Sequence, residues 1–319
     1  MYSMKTKSIK ILLSFLAVYF IWGSTYLAIR VIVTDVPPFL SMGSRFLISA
    51  AIIFCIVLFK GKPKITKKEF WSASLVGVMM FTMGVGVVAW AEQFVPSGIT
   101  SVLVALLPLW FIIFDMILNK KAAPKLLSWL GIVIGFLGIV LLVGFKDQAN
   151  LKHIAYFPMI IMVVSSMCWA FASLLSLKLP RNKNGFMNLC VQLFAGGMAN
   201  IAVGFIRGES ATDLVTDMGS HSLIAFIYLI TFGSVLVLYA YNYLIENVNP
   251  SMVATYSYVN PVVALFLGWI LLNEEINIQI IFASALILIG VIFIKKGDAT
   301  GKGSFRKKGL FSRKLKHSA

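Results

Sequence analysis

Arg45 sits about seven residues into an apolar run covering 38–59. If that run crosses a bilayer, the guanidinium lies roughly 10 Å below the outer interface at 1.5 Å per residue. A charge at that depth is costly and faces a bundle interior or a watery cavity. Its chemistry there is recognition of an anionic or zwitterionic solute. The competing role is structural: an anchor that snorkels outward or bonds main-chain carbonyls. Trp22 and Trp169 hold equivalent mid-run positions. An indole there either packs against a neighbouring helix or lines a cavity for an amphipathic or cationic guest. Trp90 lies near the outer end of its run and acts as belt or gate. Tyr256 and Asn260 are four apart, so they share one helix face. Asn260 precedes Pro261, and Pro108 holds the matching place in an earlier run. Each proline lacks an N–H and disturbs the carbonyl ladder one turn back. The freed carbonyls are expected to face a solute pathway; the alternative is that the prolines only shape packing. Glu92 and Glu246 end two of the runs. Each is a protonation site or gate partner, or else a carboxylate resting in polar headgroups.

The side chains of hydrolytic or metal chemistry are not gathered. His153, His221 and His317 fall in loops or the tail, and no HExxH, nucleophile elbow, Cys/His cluster or P-loop occurs. Cys55, Cys168 and Cys190 lie inside apolar runs and read as small fillers. An enzyme is not expected, nor a metal or cofactor.

The elements that must position these residues follow from composition. The 319 residues are 59% hydrophobic and 13% charged, more apolar surface than a soluble domain of this size can hide. A helix needs roughly 20 apolar residues to cross a hydrocarbon core. Ten such segments can be read: 11–33, 38–59, 70–91, 97–118, 126–145, 154–177, 186–206, 222–244, 251–272 and 277–294. Only helices satisfy their own backbone in lipid, so an all-α polytopic membrane protein is expected. The first run is too long for a cleavable signal peptide and carries Arg30 near its far end. With the N-terminus in the cytoplasm, 23 of the 28 Lys and Arg fall on the cytoplasmic side. That bias places both termini there, and makes the net charge of +16 a topology signal with no nucleic-acid partner implied.

The chain repeats itself. Glu92-Gln93-Phe94-Val95-Pro96-Ser97 recurs as Glu246-Asn247-Val248-Asn249-Pro250-Ser251, with five apolar runs between the copies. Trp22 answers to Trp169, Phe39 to Phe186, Pro108 to Pro261 and Gly138 to Gly290, in order. An odd number of crossings inverts the second unit. The expectation is ten transmembrane helices in two inverted five-helix repeats, 1–147 and 153–297, followed by a basic cytoplasmic tail, 298–319. The tail, with Arg306-Lys307-Lys308 and Arg313-Lys314-Leu315-Lys316, suits anionic lipid headgroups. Gly131, Gly135 and Gly138 form a small-residue face in the fifth run, and Gly196-Gly197 lies in the seventh; both suit close helix packing, or a weak homodimer of an otherwise monomeric chain.

Trp22-Gly23-Ser24-Thr25-Tyr26, then Pro37-Pro38 and Arg45-Phe46, resembles the opening of EamA-type members of the drug/metabolite transporter superfamily. Tyr256-Ser257-Tyr258-Val259-Asn260-Pro261-Val262-Val263-Ala264 resembles that family's ninth span, and Asn273-Glu274-Glu275 matches its position too. The resemblance covers residues 10 to about 296. It implies a ten-helix exporter in a bacterial cytoplasmic membrane, with spans 1, 3, 4, 6, 8 and 9 around a central cavity. Thr25 joins the expected pathway within the first motif. The expected function is secondary active export, by alternating access, of small amino-acid-like metabolites or amphipathic drugs. Lipid or lipid-precursor export is the alternative, and a channel a weaker one, since no filter segment stands out.

Overall fold

Large apolar side chains point outward on this molecule. In the computed structural model Phe136, Leu137, Ile281 and Phe282 are each more than half exposed, and such surface is tolerable only against lipid. The structure describes residues 2–59, 61, 64–119, 126–144, 156–248, 253 and 255–299. The linker between the halves, Asn249-Pro250-Ser251 of the second motif copy and the basic tail beyond Ala299 lie outside the described residues.

All the described regular structure is helical. Four long helices form the first half up to the last: α1 (Ser8–Asp35), α2 (Pro38–Phe59), α3 (Lys67–Ala91) and α4 (Ser97–Leu118), with α5 (Leu126–Gly144) closing it. The second half holds α6 (Tyr156–Ser176), α7 (Gly185–Ile206) and α8 (Ser220–Asn247), then α9 (Tyr256–Leu272) and α10 (Ile278–Ala299). Seven of these are long and apolar enough to cross a membrane; α5, α9 and α10 carry shorter apolar stretches.

Local chemistry sets the helix ends. Pro38 opens α2 at the first position, where its missing N–H is no loss. Thr66 and Glu69 form a reciprocal capping box at the start of α3. Two caps come from far away. Glu209, after α7, accepts from the main-chain N–H groups of Phe39 (3.2 Å) and Leu40 (2.8 Å) at the start of α2. Glu274, after α9, accepts from Ser97 N and Ser97 Oγ (both 2.8 Å) and Gly98 N (3.1 Å) at the start of α4. A carboxylate at a helix N-terminus meets unpaired donors and the positive dipole end together.

The halves interlock through matching helices. α2 packs on α7, α4 on α9 and α5 on α10, while α1 lies against α8 and α9 and α6 lies against α3 and α4. Missing Cβ atoms permit the close approaches. A Cβ on Gly197 would stand 3.1 Å from the Gly43 carbonyl oxygen, and one on Gly290 would stand 2.6 Å from the Gly131 carbonyl oxygen. The small-residue faces therefore pack within the chain, as expected of such stripes.

Three helices leave the regular ladder. α1 is a π-helix over Ala17–Ile21, α3 over Val78–Gly86 and α8 over Thr231–Leu236. π stretches leave carbonyls poorly matched, and they recur at functional sites. In α4 the ladder breaks at Ala105 and Leu106, and the helix restarts at Leu107, as Pro108 dictates one turn downstream.

Candidate functional site

The irregular segments converge on one internal cavity. α1 lines it with Trp22, Thr25, Tyr26 and Ile29, the i, i+3, i+4, i+7 stripe of a single helix face. α2 contributes Arg45, α3 Gly84, Val85 and Val88, α4 Val104 and Leu107, α6 Ser165, Ser166 and Trp169, and α9 Tyr256 and Asn260.

An aromatic wall closes one side. Trp22 meets Trp169 edge-on at 5.7 Å between centroids, Tyr256 at 5.0 Å and Tyr241 of α8 at 4.9 Å. Packing and cavity lining thus coincide in the two tryptophans, which touch ring neighbours and line the hollow as well. Tyr241 braces the wall from behind, its hydroxyl 3.3 Å from Ser173 Oγ.

Arg45 is 3% exposed. Its Nε donates to Ser234 Oγ at 2.9 Å, its Nη2 to the Gly233 carbonyl at 2.9 Å, and its Nη1 makes a long contact to Met42 Sδ. Gly233 and Ser234 lie inside the π stretch of α8. A guanidinium has five N–H groups, so two remain for a guest. The anchoring and recognition roles are therefore compatible in one side chain.

The other π stretches are held in the same way. Asn200 of α7 donates to the Phe81 carbonyl at 2.9 Å and the Gly196 carbonyl at 2.8 Å. Ser165 Oγ donates to the Gly84 carbonyl at 2.6 Å. With its amide nitrogen turned inward, Asn260 donates to the Tyr19 carbonyl at 2.9 Å and the Tyr256 carbonyl at 3.1 Å. Each polar side chain satisfies a carbonyl that a regular helix would have paired itself.

Of the residues expected on the pathway, Trp22, Thr25, Arg45, Trp169, Tyr256 and Asn260 line the cavity. Trp90, Pro108 and Pro261 are absent from its lining. Trp90 turns to the far side of α3, under Arg207 at 5.2 Å and beside Phe94 and Phe157. Pro108 and Pro261 are buried in the helices they bend. The expected ring of spans also needs correcting. α2 enters it through Arg45, and α8 stays behind the lining, holding Arg45 through Gly233 and Ser234.

The two repeated glutamates differ in setting. Glu92 is fully buried, and neither carboxylate oxygen has a hydrogen-bond partner. Glu246 is 44% exposed and faces Arg181 at 3.4 Å. They also stand at opposite ends of the bundle. Arg30 of α1 donates to the Glu92 carbonyl, and Asp35, at the end of α1, accepts from Ser222 at the start of α8. Glu246 lies at the far end of α8, roughly 36 Å from Ser222 at 1.5 Å per residue. That exceeds the thickness of a hydrocarbon core, about 30 Å.

Tyr26, Ser165, Ser166, Tyr241 and Asn200 were not expected at the site. Tyr26 and the two serines lie one helical turn from Trp22 and Trp169, which is the signal that would have found them. Asn200 is an amide in an apolar run, a polar group that needs partners in lipid.

Comparison with known proteins agrees with this architecture. The EamA-like transporter family matches twice, over residues 9–144 and 156–295. The Uncharacterized inner membrane transporter YedA of Escherichia coli (strain K12) is 34% identical over 282 residues, covering 88% of this chain and 89% of the relative. The Uncharacterized transporter YoaV of Bacillus subtilis (strain 168) is 29% identical over 286 residues, covering 89% and 96%. A crystal structure 19% identical in sequence shares the fold with a TM-score of 0.62 over 89% of this chain and 95% of the other. Two family matches that together span nearly all the membrane helices, and a relative alike over most of its length, lead to one conclusion: this multi-pass membrane protein belongs to the EamA-like transporter family and is a transporter, not an enzyme.

Proposed function

We propose that the chain is a secondary active transporter that exports small, amino-acid-like metabolites or amphipathic drugs by alternating access to the Arg45 cavity. One observation carries the reading: a buried guanidinium with N–H groups to spare stands in the same hollow as Trp22, Trp169 and Tyr256. Such a site suits a carboxylate through paired hydrogen bonds and an apolar or aromatic body through ring contact. Ser165, Ser166 and Asn260 add polar groups for an amine or a bound water.

Alternating access draws support from the helix pairing. Exchanging the halves turns α1 on α8 into α6 on α3, and α1 on α9 into α6 on α4, and both members of each pair exist. This is the pattern of inverted repeats. The lysine and arginine bias puts both termini in the cytoplasm and Glu246 at the cytoplasmic mouth. A cleft there, lined by Asn188, Gln192, Asn242, Arg181 and Glu246, offers polar groups to an entering solute. The tail beyond Ala299 lies against anionic headgroups in this reading. The chain acts as a monomer, because α10 already covers the glycine face of α5.

The test is counterflow into liposomes holding the purified protein, with labelled phenylalanine, leucine and ethidium as probes. The wild type should exchange at least one of these, and R45Q should exchange it far more slowly. Folded protein that exchanges none of them would remove the reading.

A further inference from the structure

The Glu92 end of the bundle contains one carboxylate too many. Glu92 lies just past α3 with both oxygens sealed from solvent and unbonded. The titratable and charged groups facing it are Tyr26 and Arg30 of α1 and Glu274 of the α9–α10 connection. Arg30 spends a guanidinium N–H on the Glu92 main-chain carbonyl and leaves the carboxyl oxygens unbonded. Glu274 takes up the free donors at the start of α4, accepting three hydrogen bonds there, whereas Glu92 accepts none. An anion buried without a donor costs far more than it returns, and the usual outcome is neutralisation.

Resting on the transporter reading above, we propose that Glu92 is the proton-binding site of the transport cycle. It holds a proton while its oxygens are sealed, as they are in this structure, and releases it when this end of the bundle opens to water. The step is one equilibrium: the carboxylic O–H breaks, the proton leaves to water, and the carboxylate that remains is hydrated. Tyr26 joins the site to the solute, because its ring lines the Arg45 cavity while it faces Glu92. Glu246 is a different kind of group. It is exposed and lies 3.4 Å from Arg181, so water and a cation both reach its oxygens.

The full-length protein in liposomes tests this in two ways. Infrared difference spectra between acid and alkaline buffer should contain the C=O stretch of a protonated carboxyl. The band should persist in E246Q, shift in E92D and vanish in E92Q. A wild type without the band, or a band unchanged in E92Q, overturns the proposal. E92D keeps the carboxyl, so it decides the matter if E92Q does not fold. In the second test a pH-sensitive dye is trapped inside the liposomes and phenylalanine is supplied outside. The wild type should move protons against the amino acid, and E92Q should fall to the level of protein-free liposomes. Proton movement in E92Q equal to that of the wild type, and above the level of protein-free liposomes, overturns the proposal. If phenylalanine, leucine and ethidium all fail to exchange while the carboxyl band behaves as stated, the substrate reading falls and the proton site stands.

Discussion

Arg45 Nη2 on α2 donates to the main-chain oxygen of Gly233 in α8 across 2.9 Å. This bond joins the two halves of the chain at the cavity wall. The carbonyl it satisfies belongs to a π stretch, so the cation's location and the helix irregularity explain each other. Removing the guanidinium takes a donor from the buried Gly233 carbonyl, a cost of about 1–3 kcal/mol, while the Ser234 hydroxyl keeps its bond to the Leu229 carbonyl. R45A should therefore lower the thermal midpoint in detergent as well as stop exchange. Lysine reaches the carbonyl or the cavity with its single ammonium, but not both. R45K should keep normal abundance and weaken apparent solute affinity about tenfold or more, a difference of about 1.4 kcal/mol. Paired measurements of melting and counterflow check both variants.

Trp169 touches Trp22, Phe81 and Tyr241 and is 8% exposed. W169A should destabilise by about 3–5 kcal/mol, the usual loss for a large core ring. W22F keeps most of the wall and should fold normally with altered preference among apolar probes. Melting curves and competition between phenylalanine and leucine in counterflow distinguish the two effects.

Asn200 holds the π stretch of α3 through Phe81 and Gly196. N200A should cost about 1–3 kcal/mol by leaving the Phe81 carbonyl unpaired in the interior. N200L should be worse, because Gly86 leaves space only for the amide oxygen at that contact. A thermal midpoint equal to wild type in both variants would contradict this role.

Glu92 and Glu246 stand at opposite ends of the bundle. Reporter fusions after Gln93 and after Asn247 should report opposite compartments, with Asn247 cytoplasmic. The same compartment for both would end the inverted-repeat reading.

Much of the fold was legible in the sequence because apolar runs of bilayer length have few alternatives. The ten runs fall on helices α1–α10 with shifts of a few residues, seven of them long and apolar enough to cross a membrane. Six of the nine expected pathway residues meet at the cavity, since a buried cation, paired indoles and an i, i+4 polar pair all demand a special environment. The rest was illegible for physical reasons. A π stretch adds one residue to a turn without changing composition, so the new facing of Trp90 leaves no trace in the pattern. Glu92 at a run end reads equally well as interfacial or buried, because one turn of helix decides between them. The caps on α2 and α4 come from Glu209 and Glu274, more than 160 residues away in each case, and no local signal records such a pairing.

Those distant caps have a mechanical consequence. At one rim of the bundle, two carboxylates from the second half clasp the first, each through several donors. At the opposite rim the described links between the halves are Lys178 with the Leu118 carbonyl and Asn182 with the Lys64 carbonyl and Glu69, while the exposed ion pair of Arg181 with Glu246 lies within the second half. Side-chain links that meet water are weaker than sealed, multiply bonded caps, so this wetter rim should part first and more often.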